Sequence, residues 1–259
     1  MQSKSQRSSS RNIKLTLEYD GSPFFGFQRQ KNQPTVQGAL EKALTQLLNR
    51  RTKIASAAGR TDSGVHAQAQ VVNFRTDSSL PLERIQKGLN ALLPKEIAVK
   101  RAEEMPADFH ARYSARGKTY EYRVLNSEIR SPLLNGQVYP FRYPLDLKRM
   151  KAAARRLVGR RDFKAFQAAG SSARHSIRCV RRLEIERKGG LVRFVIEADG
   201  FLYRMVRNIV GALLEVGRGK LTPQDFSKRV RSRKRFLGGA TVPPQGLCLV
   251  AVEYPLQPS

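Results

Sequence analysis

The hydrophobic and polar positions of the first hundred residues switch between strand spacing and helix spacing. Apolar and polar side chains alternate in "NIKLTLE", residues 12–18, as in a half-buried strand, and apolar residues then recur at helical spacing over 35–50. The further predicted elements are a strand over 53–58, a strand over 67–74, a helix over 82–92 and a strand over 97–103. The predicted order is therefore β-α-β-β-α-β.

The same order of elements is predicted again in the second half of the chain. In sequence, these elements are a strand over 118–125, a helix over 147–158, strands over 177–186 and 191–198, a helix over 202–216 and a strand over 247–254. The turn between the two middle strands lies at Lys188-Gly189-Gly190, and a helix over 223–233 is an insertion. The two halves share little sequence, so the repeat rests on the pattern of elements alone.

These patterns predict an α+β fold of two tandem ferredoxin-like units, whose antiparallel sheets adjoin with a cleft between them. We assign residues 12–105 to an N-terminal α/β unit and 106–259 to a C-terminal unit, with the inserted helix at about 223–235. Residues 1–11, "MQSKSQRSSSR", are Ser-rich and basic and contain no apolar segment. They are expected to form a disordered basic tail.

The charge of the chain points to a polyanionic partner. Lys and Arg total 48 against 21 Asp and Glu, which gives a formal net charge of +27, while 40% of the residues are hydrophobic. The basic residues are spread along the whole chain and no stretch of 18 apolar residues occurs, so nucleic acid is favoured over a membrane surface. Only Cys179 and Cys248 are present, without metal-ligand spacing, so we expect no metal site, no disulfide framework and a cytoplasmic location.

The loop "GRTDSGVH" holds a candidate catalytic carboxylate, Asp62. An aspartate near a glycine in a loop between strands is commonly a turn residue that caps its own backbone. Gly59 and Gly64, however, permit unusual torsions or a close backbone approach, and Ala57 and Ala58 favour tight packing beneath the loop. A carboxylate held in this way can act as a nucleophile, and the spacing alone leaves both interpretations open.

Two other positions have both a structural and a functional interpretation. Arg207 falls on the polar face of the helix over 202–216, where an arginine is usually solvated, but Gly211 one turn later would let another backbone pack there. Tyr120 shares a strand face with Tyr122, which favours core packing, although a tyrosine can also stack on a nucleobase.

Five segments together resemble the tRNA pseudouridine synthase A family over about residues 12–256. They are "GRTDSGVHA", "DFHARYSARGKTYEY", "DFKAFQAAGSSARHSIRCVR", "GFLYRMVRNIVGALLEVGRGK" and "PPQGLCL". Any single segment could occur by chance, but five in this order make the resemblance specific. One departure is Ser63, where the family usually has alanine, and this small change should not disturb the loop.

The resemblance implies isomerisation of uridine to pseudouridine in the anticodon stem-loop of tRNA, typically at positions 38, 39 and 40, by a homodimer without a cofactor. Asp62 matches the catalytic aspartate and Arg60 the arginine that takes the place of the flipped base. Tyr120 matches the tyrosine that stacks on the uracil and could remove the C5 proton. Arg207 matches the arginine paired with the aspartate. A non-catalytic RNA-binding module on the same fold is the alternative.

The implied pairing of Asp62 with Arg207 has a chemical reason. Burial disfavours the charged form of a carboxylate and a nearby arginine favours it, so the pair can keep a desolvated nucleophile ionised. The sequence leaves open whether Asp62 attacks C1′ of the ribose or C6 of the uracil.

Overall fold

The computed structural model describes residues 10–171, 173–232, 234 and 239–255. The chain forms two compact units. Among the described residues, the first contains 10–63, 67–115 and 254–255, and the second contains 64–66 and the remainder of 116–253. Residues 1–9 of the predicted basic tail lie outside the described residues. Arg11, the last residue of that predicted tail, is the first residue of the first strand.

The first unit contains the six elements that the hydrophobic pattern predicts, in the predicted order. They are β1 (Arg11–Tyr19), α1 (Val36–Leu47), β2 (Ile54–Ala57), β3 (His66–Thr76), α2 (Leu82–Leu92) and β4 (Ile97–Met105). Strand β1 pairs antiparallel with both β3 and β4, and β2 pairs antiparallel with β3. The strands of this unit therefore follow the order β4-β1-β3-β2.

Amphipathic patterns explain why these segments fold as they do. The alternation in β1 buries Ile13, Leu15 and Leu17 completely. Helix α1 begins after Thr35, whose side-chain oxygen accepts a hydrogen bond from the Gly38 backbone N–H, as an N-cap residue does. Its apolar stripe includes Leu40, which is also fully buried, so one face of each element contributes to a shared core.

Residues 106–115 belong to the first unit, although the sequence assigns them to the C-terminal one. The buried Asn12 donates hydrogen bonds from Nδ2 to the carbonyl oxygens of Pro106 and Phe109, both at 2.9 Å. The backbone N–H of Ala111 donates to Oδ1 of Asn73 at 3.1 Å. These asparagines lie on β1 and β3, so polar side chains within strands hold residues 106–115 in the first unit. The pattern of hydrophobic residues does not reveal such polar contacts, so it does not predict this unit boundary.

The second unit repeats the order of the first with additions. Its elements are β5 (Gly117–Leu125), β6 (Tyr139–Pro140), α3 (Leu147–Arg155), β7 (Gly159–Asp162), β8 (Ile177–Lys188), β9 (Leu191–Ala198), α4 (Met205–Gly217), α5 (Pro223–Arg231) and β10 (Leu247–Glu253). The antiparallel strands follow the order β10-β5-β9-β8-β7, and β6 pairs in parallel with β5. The sequence does not predict β6 and β7, because β6 has only two residues and β7, with the sequence GRRD, contains no apolar side chain.

Two helices of the second unit differ at their ends from the prediction. Helix α4 begins at Met205, three residues later than expected, because Arg204 has a left-handed backbone with φ of 57°. Helix α5 ends at Arg231. Arg233 and Arg235 of the predicted insertion lie outside the described residues. The described elements together make a mixed α+β fold, and none of their helices is long and apolar enough to cross a membrane.

Candidate active site

The loop that carries Asp62 is held by buried polar side chains of the first unit. Gln70, fully buried on β3, donates from Nε2 to the Gly59 carbonyl at 2.7 Å and accepts from the Gly59 N–H at 3.2 Å. The hydroxyl groups of Tyr19 and Thr61 lie 2.8 Å apart in a hydrogen bond. The backbone on the N-terminal side of Asp62 is therefore fixed from two strands.

A second loop, "DGSPFFGF", packs against the same segment, and sequence analysis missed its role. The N–H of Phe27 donates to the Thr61 carbonyl at 3.0 Å. At Gly26, where φ is +88°, an added Cβ would lie 2.8 Å from the Thr61 oxygen and 3.1 Å from the backbone nitrogen of Ser63. Only glycine fits this approach, and the available signal was a glycine set between two phenylalanines.

The side chains of the loop point in two directions. Thr61 is buried, Asp62 is half-buried and Arg60 is exposed. The loop thus places a carboxylate at the boundary between protein and solvent, with a guanidinium two residues away. The hydrogen bonds described above are made by neighbours of Asp62. The shape of the loop is therefore set by its contacts with β1, β3 and the Gly26 loop, in addition to the turn-forming residues of the loop itself.

The next three residues, 64–66, belong to the second unit. Gly64 has a φ of +75°, and a Cβ there would lie 3.0 Å from Cγ of Pro244. Nε2 of His66 lies 2.8 Å from the Gly136 carbonyl oxygen and 3.2 Å from that of Gln245. Since both partners are acceptors, Nε2 carries the proton and donates.

Tyr120 lies on β5 and is almost fully buried. Its ring meets that of Phe201 edge-on, with 5.1 Å between centroids and 88° between planes. Tyr122, two residues along the same strand, is completely buried and donates its hydroxyl proton to the Pro243 carbonyl at 2.7 Å. Burial raises the pKa of Tyr122 well above its ordinary value, and the positive charge of Arg207 opposes that rise. The structure thus places Arg207 within electrostatic range of this strand.

Arg207 is buried, so the solvated-surface interpretation of this arginine is wrong. Its Nε donates to the Val242 carbonyl oxygen at 2.7 Å. A Cβ on Gly211 would lie only 2.1 Å from the Ala240 carbonyl oxygen, which confirms the close backbone approach predicted there. Asn208 accepts from the Thr241 hydroxyl at 2.6 Å. At Arg207, Asn208 and Gly211, the supposed polar face of α4 is therefore packed against residues 240–242.

Of the four candidate residues, Arg60 and Asp62 lie on one loop of the first unit, and Tyr120 and Arg207 lie in the second unit. In the described part of the chain, no group of three or more His, Cys, Asp or Glu side chains is placed to hold a metal ion.

Comparison with known proteins gives a consistent result. A family model described as tRNA pseudouridine synthase matches residues 16–114 and 153–255, and Tyr120 lies between the two matched segments. tRNA pseudouridine synthase A of Chromobacterium violaceum is 47% identical over 243 residues, which cover 94% of this chain and 93% of that protein. tRNA pseudouridine synthase A of Acetivibrio thermocellus is 45% identical over 244 residues, or 94% of this chain and 100% of that protein.

Proposed function

This chain belongs to the tRNA pseudouridine synthase family, and on that premise we propose that it isomerises uridine at positions 38, 39 and 40 of the tRNA anticodon stem-loop, with Asp62 as the nucleophile. Members of this family are isomerases of tRNA. The observation that carries the assignment of Asp62 is the construction of its loop. Buried hydrogen bonds and the glycine contact at Gly26 hold a half-buried carboxylate in place.

The reaction sets clear demands on the protein. The N1–C1′ bond of the target uridine breaks, the uracil turns, a C5–C1′ bond forms, and the proton on C5 is lost while N1 gains one. Atoms are conserved, so the protein has to supply a nucleophile, a place for the turning base and a proton acceptor. Because the uracil is stacked in the stem-loop, it must first leave the stack.

Arg60 is suited to replace the extruded base. It is exposed and lies two residues from Asp62 on a fixed loop, so its guanidinium can reach an RNA duplex that presents a uridine to the carboxylate. A planar guanidinium also stacks on neighbouring bases, which an ammonium group does not do as well.

Tyr120 is proposed to stack on the turned uracil and to accept its C5 proton. Phe201 fixes the plane of the Tyr120 ring from the side. Tyr122 is a weaker candidate for proton transfer, since its hydroxyl already donates to Pro243 and burial raises its pKa.

Arg207 is proposed to pair with Asp62 and keep it ionised. The bond from Nε to Val242 orients the guanidinium, and the two terminal nitrogens provide the parallel donors that a carboxylate accepts. A double-mutant cycle on Arg207 and Asp62 tests the pairing, because residues that act as one unit give strongly non-additive losses of turnover.

The finer architecture belongs to the same proposal. The strand orders β4-β1-β3-β2 and β10-β5-β9-β8 are alike and antiparallel, which supports two tandem ferredoxin-like units. We also infer a cytoplasmic homodimer, in keeping with a large RNA substrate and a net charge of +27.

The decisive experiment is Asp62→Asn, which keeps the size of the side chain but removes the charge and the nucleophile. We expect no detectable tritium release from tRNA that contains 5-tritiated uridine, with filter binding of the same tRNA retained. Asp77→Asn is the matched control, since Asp77 is an exposed aspartate that pairs with Arg50. Turnover by Asp62→Asn would contradict the mechanism, and a wild-type protein that binds tRNA without turnover would favour the binding-module alternative.

A further inference from the structure

The second unit contains a cavity that the proposed reaction does not use. It has a volume of about 400 Å³ and lies among α3, β7 and α5. Leu157 and Phe226, whose side chains are completely buried, lie behind its wall, and the half-buried Val230 gives the cavity an accessible apolar surface. Its exposed residues are four arginines, Arg156, Arg160, Arg161 and Arg231.

These arginines give the lining of the cavity a net positive charge. In the described part of the chain, none of the four forms an ion pair within 4 Å of a carboxylate. The lining contains one acid, Asp162, whose Oδ1 accepts hydrogen bonds from the Ser176 hydroxyl and the Lys164 N–H. Arg161 is oriented by a bond from Nε to the Val158 carbonyl at 3.1 Å. The remaining guanidinium N–H groups of the four arginines are suited to donate hydrogen bonds to phosphate oxygens.

The size and lining of the cavity narrow the class of ligand. Sites for small organic groups commonly measure about 300 to 1,000 Å³ and combine apolar walls with a few fixed polar groups. An inorganic anion would leave the apolar part unused, whereas a nucleotide presents a phosphate and an apolar ring face together. Because the arginines are exposed at the rim, a polymer can approach them as well as a free molecule can.

We propose that this cavity is a second RNA site, in which the arginines bind backbone phosphates of the tRNA and one nucleotide packs against the half-buried Val230. The proposal rests on the proposed function in one respect, that the RNA is the tRNA substrate. A chain with a net charge of +27 favours a polyanion over a free nucleotide as the occupant.

The test is the salt dependence of tRNA binding by Arg156→Gln/Arg160→Gln. The slope of log affinity against log salt changes by about 0.7 to 0.9 for each phosphate contact, so loss of two contacts should flatten it by about 1.4 to 1.8. The control, Lys151→Gln/Arg155→Gln, removes the same charge from exposed positions of α3 outside the cavity. It should keep the wild-type slope. Equal slopes for the two double variants would overturn the proposal.

A second variant addresses the interior of the cavity. Val230→Trp fills it without a change of charge, and circular dichroism verifies that the fold is retained. We expect at least a tenfold loss of tRNA affinity, and full affinity in a folded, filled variant would contradict binding inside the cavity. Titration with uridine monophosphate checks the source of the ligand. Micromolar binding that the arginine variant abolishes, together with an unchanged tRNA slope, would assign the cavity to a free nucleotide and overturn the RNA assignment.

Measurement of pseudouridine formation by the wild-type protein separates this inference from the proposed function. A slope difference without any pseudouridine would retain the RNA site and refute the isomerase. Pseudouridine formation together with equal salt slopes for the two double variants would retain the isomerase and refute the second RNA site.

Discussion

Replacement of Gly26 by alanine tests whether the shape of the Asp62 loop, and not only its residues, is needed for turnover. The backbone of Gly26 is left-handed with φ of +88°, which costs an ordinary L-residue about 1 to 2 kcal/mol. In addition, the new Cβ would lie 2.8 Å from the Thr61 carbonyl oxygen, so the loop has to shift to accept it. Gly26→Ala therefore adds both backbone strain and a displacement next to Asp62.

The two effects have separate readouts. For a domain of this size, the strain should lower Tm by about 2 to 8 °C. Displacement of a reacting group by as much as 1 Å can cost about 100-fold in rate, so we expect turnover to fall by about 10- to 100-fold while tRNA affinity stays within about twofold of wild type. Single-turnover tritium release and filter binding on one preparation measure both.

Gly189→Ala is the matched control for Gly26→Ala. Gly189 also has a positive φ, +58°, but nothing lies within 4 Å of a Cβ added there. The Gly189→Ala variant should show a drop in Tm similar to that of Gly26→Ala and should keep the wild-type turnover. Turnover of Gly26→Ala at the wild-type rate would refute a role for the contact with Thr61 in positioning Asp62.

Two further substitutions test the proposed roles in the second unit. Arg207→Lys keeps the charge but loses the paired donors, so turnover should fall by about 100-fold or more with little change in tRNA affinity; equal losses in both would assign Arg207 to RNA binding. Tyr120→Phe keeps the ring and its contact with Phe201 but removes the hydroxyl. Tritium release should fall on the order of 100-fold or more at unchanged affinity, and an undiminished rate would exclude this hydroxyl as the proton acceptor.

The sequence predicts helices and strands that bury one apolar face. It does not predict burial of polar helix positions when another segment's main chain packs against them. Strand β1 and helices α1 and α2 each show one apolar face, and their predicted positions are confirmed within a few residues. Helix α4 is buried on both sides, so its polar residues suggested a solvated surface that the structure does not have. Its start was also misplaced, since nothing in the spacing marks the left-handed residue Arg204.

The candidate site shows the same division. The glycines and small residues around Asp62 could single it out as a candidate, and the close backbone approach at Gly211 could be predicted. Gln70 and Tyr19 could not, because each looks like an ordinary strand residue until its partner in the loop is known. The Val242 carbonyl that binds Arg207 is 35 positions away in the sequence, and main-chain oxygen is present at every residue, so no residue type identifies it.

The contact between α4 and the segment from Ala240 to Pro243 has an asymmetry that matters for how this protein can change over time. On the helix, Arg207 acts through its side chain and Gly211 through the lack of one. On the facing segment, Ala240 and Val242 contribute carbonyl oxygens that any amino acid carries. Natural drift can therefore alter the exposed side chain of Ala240 and keep its carbonyl contact, while Gly211 opposite stays fixed. Two residues in direct contact would thus diverge at different rates.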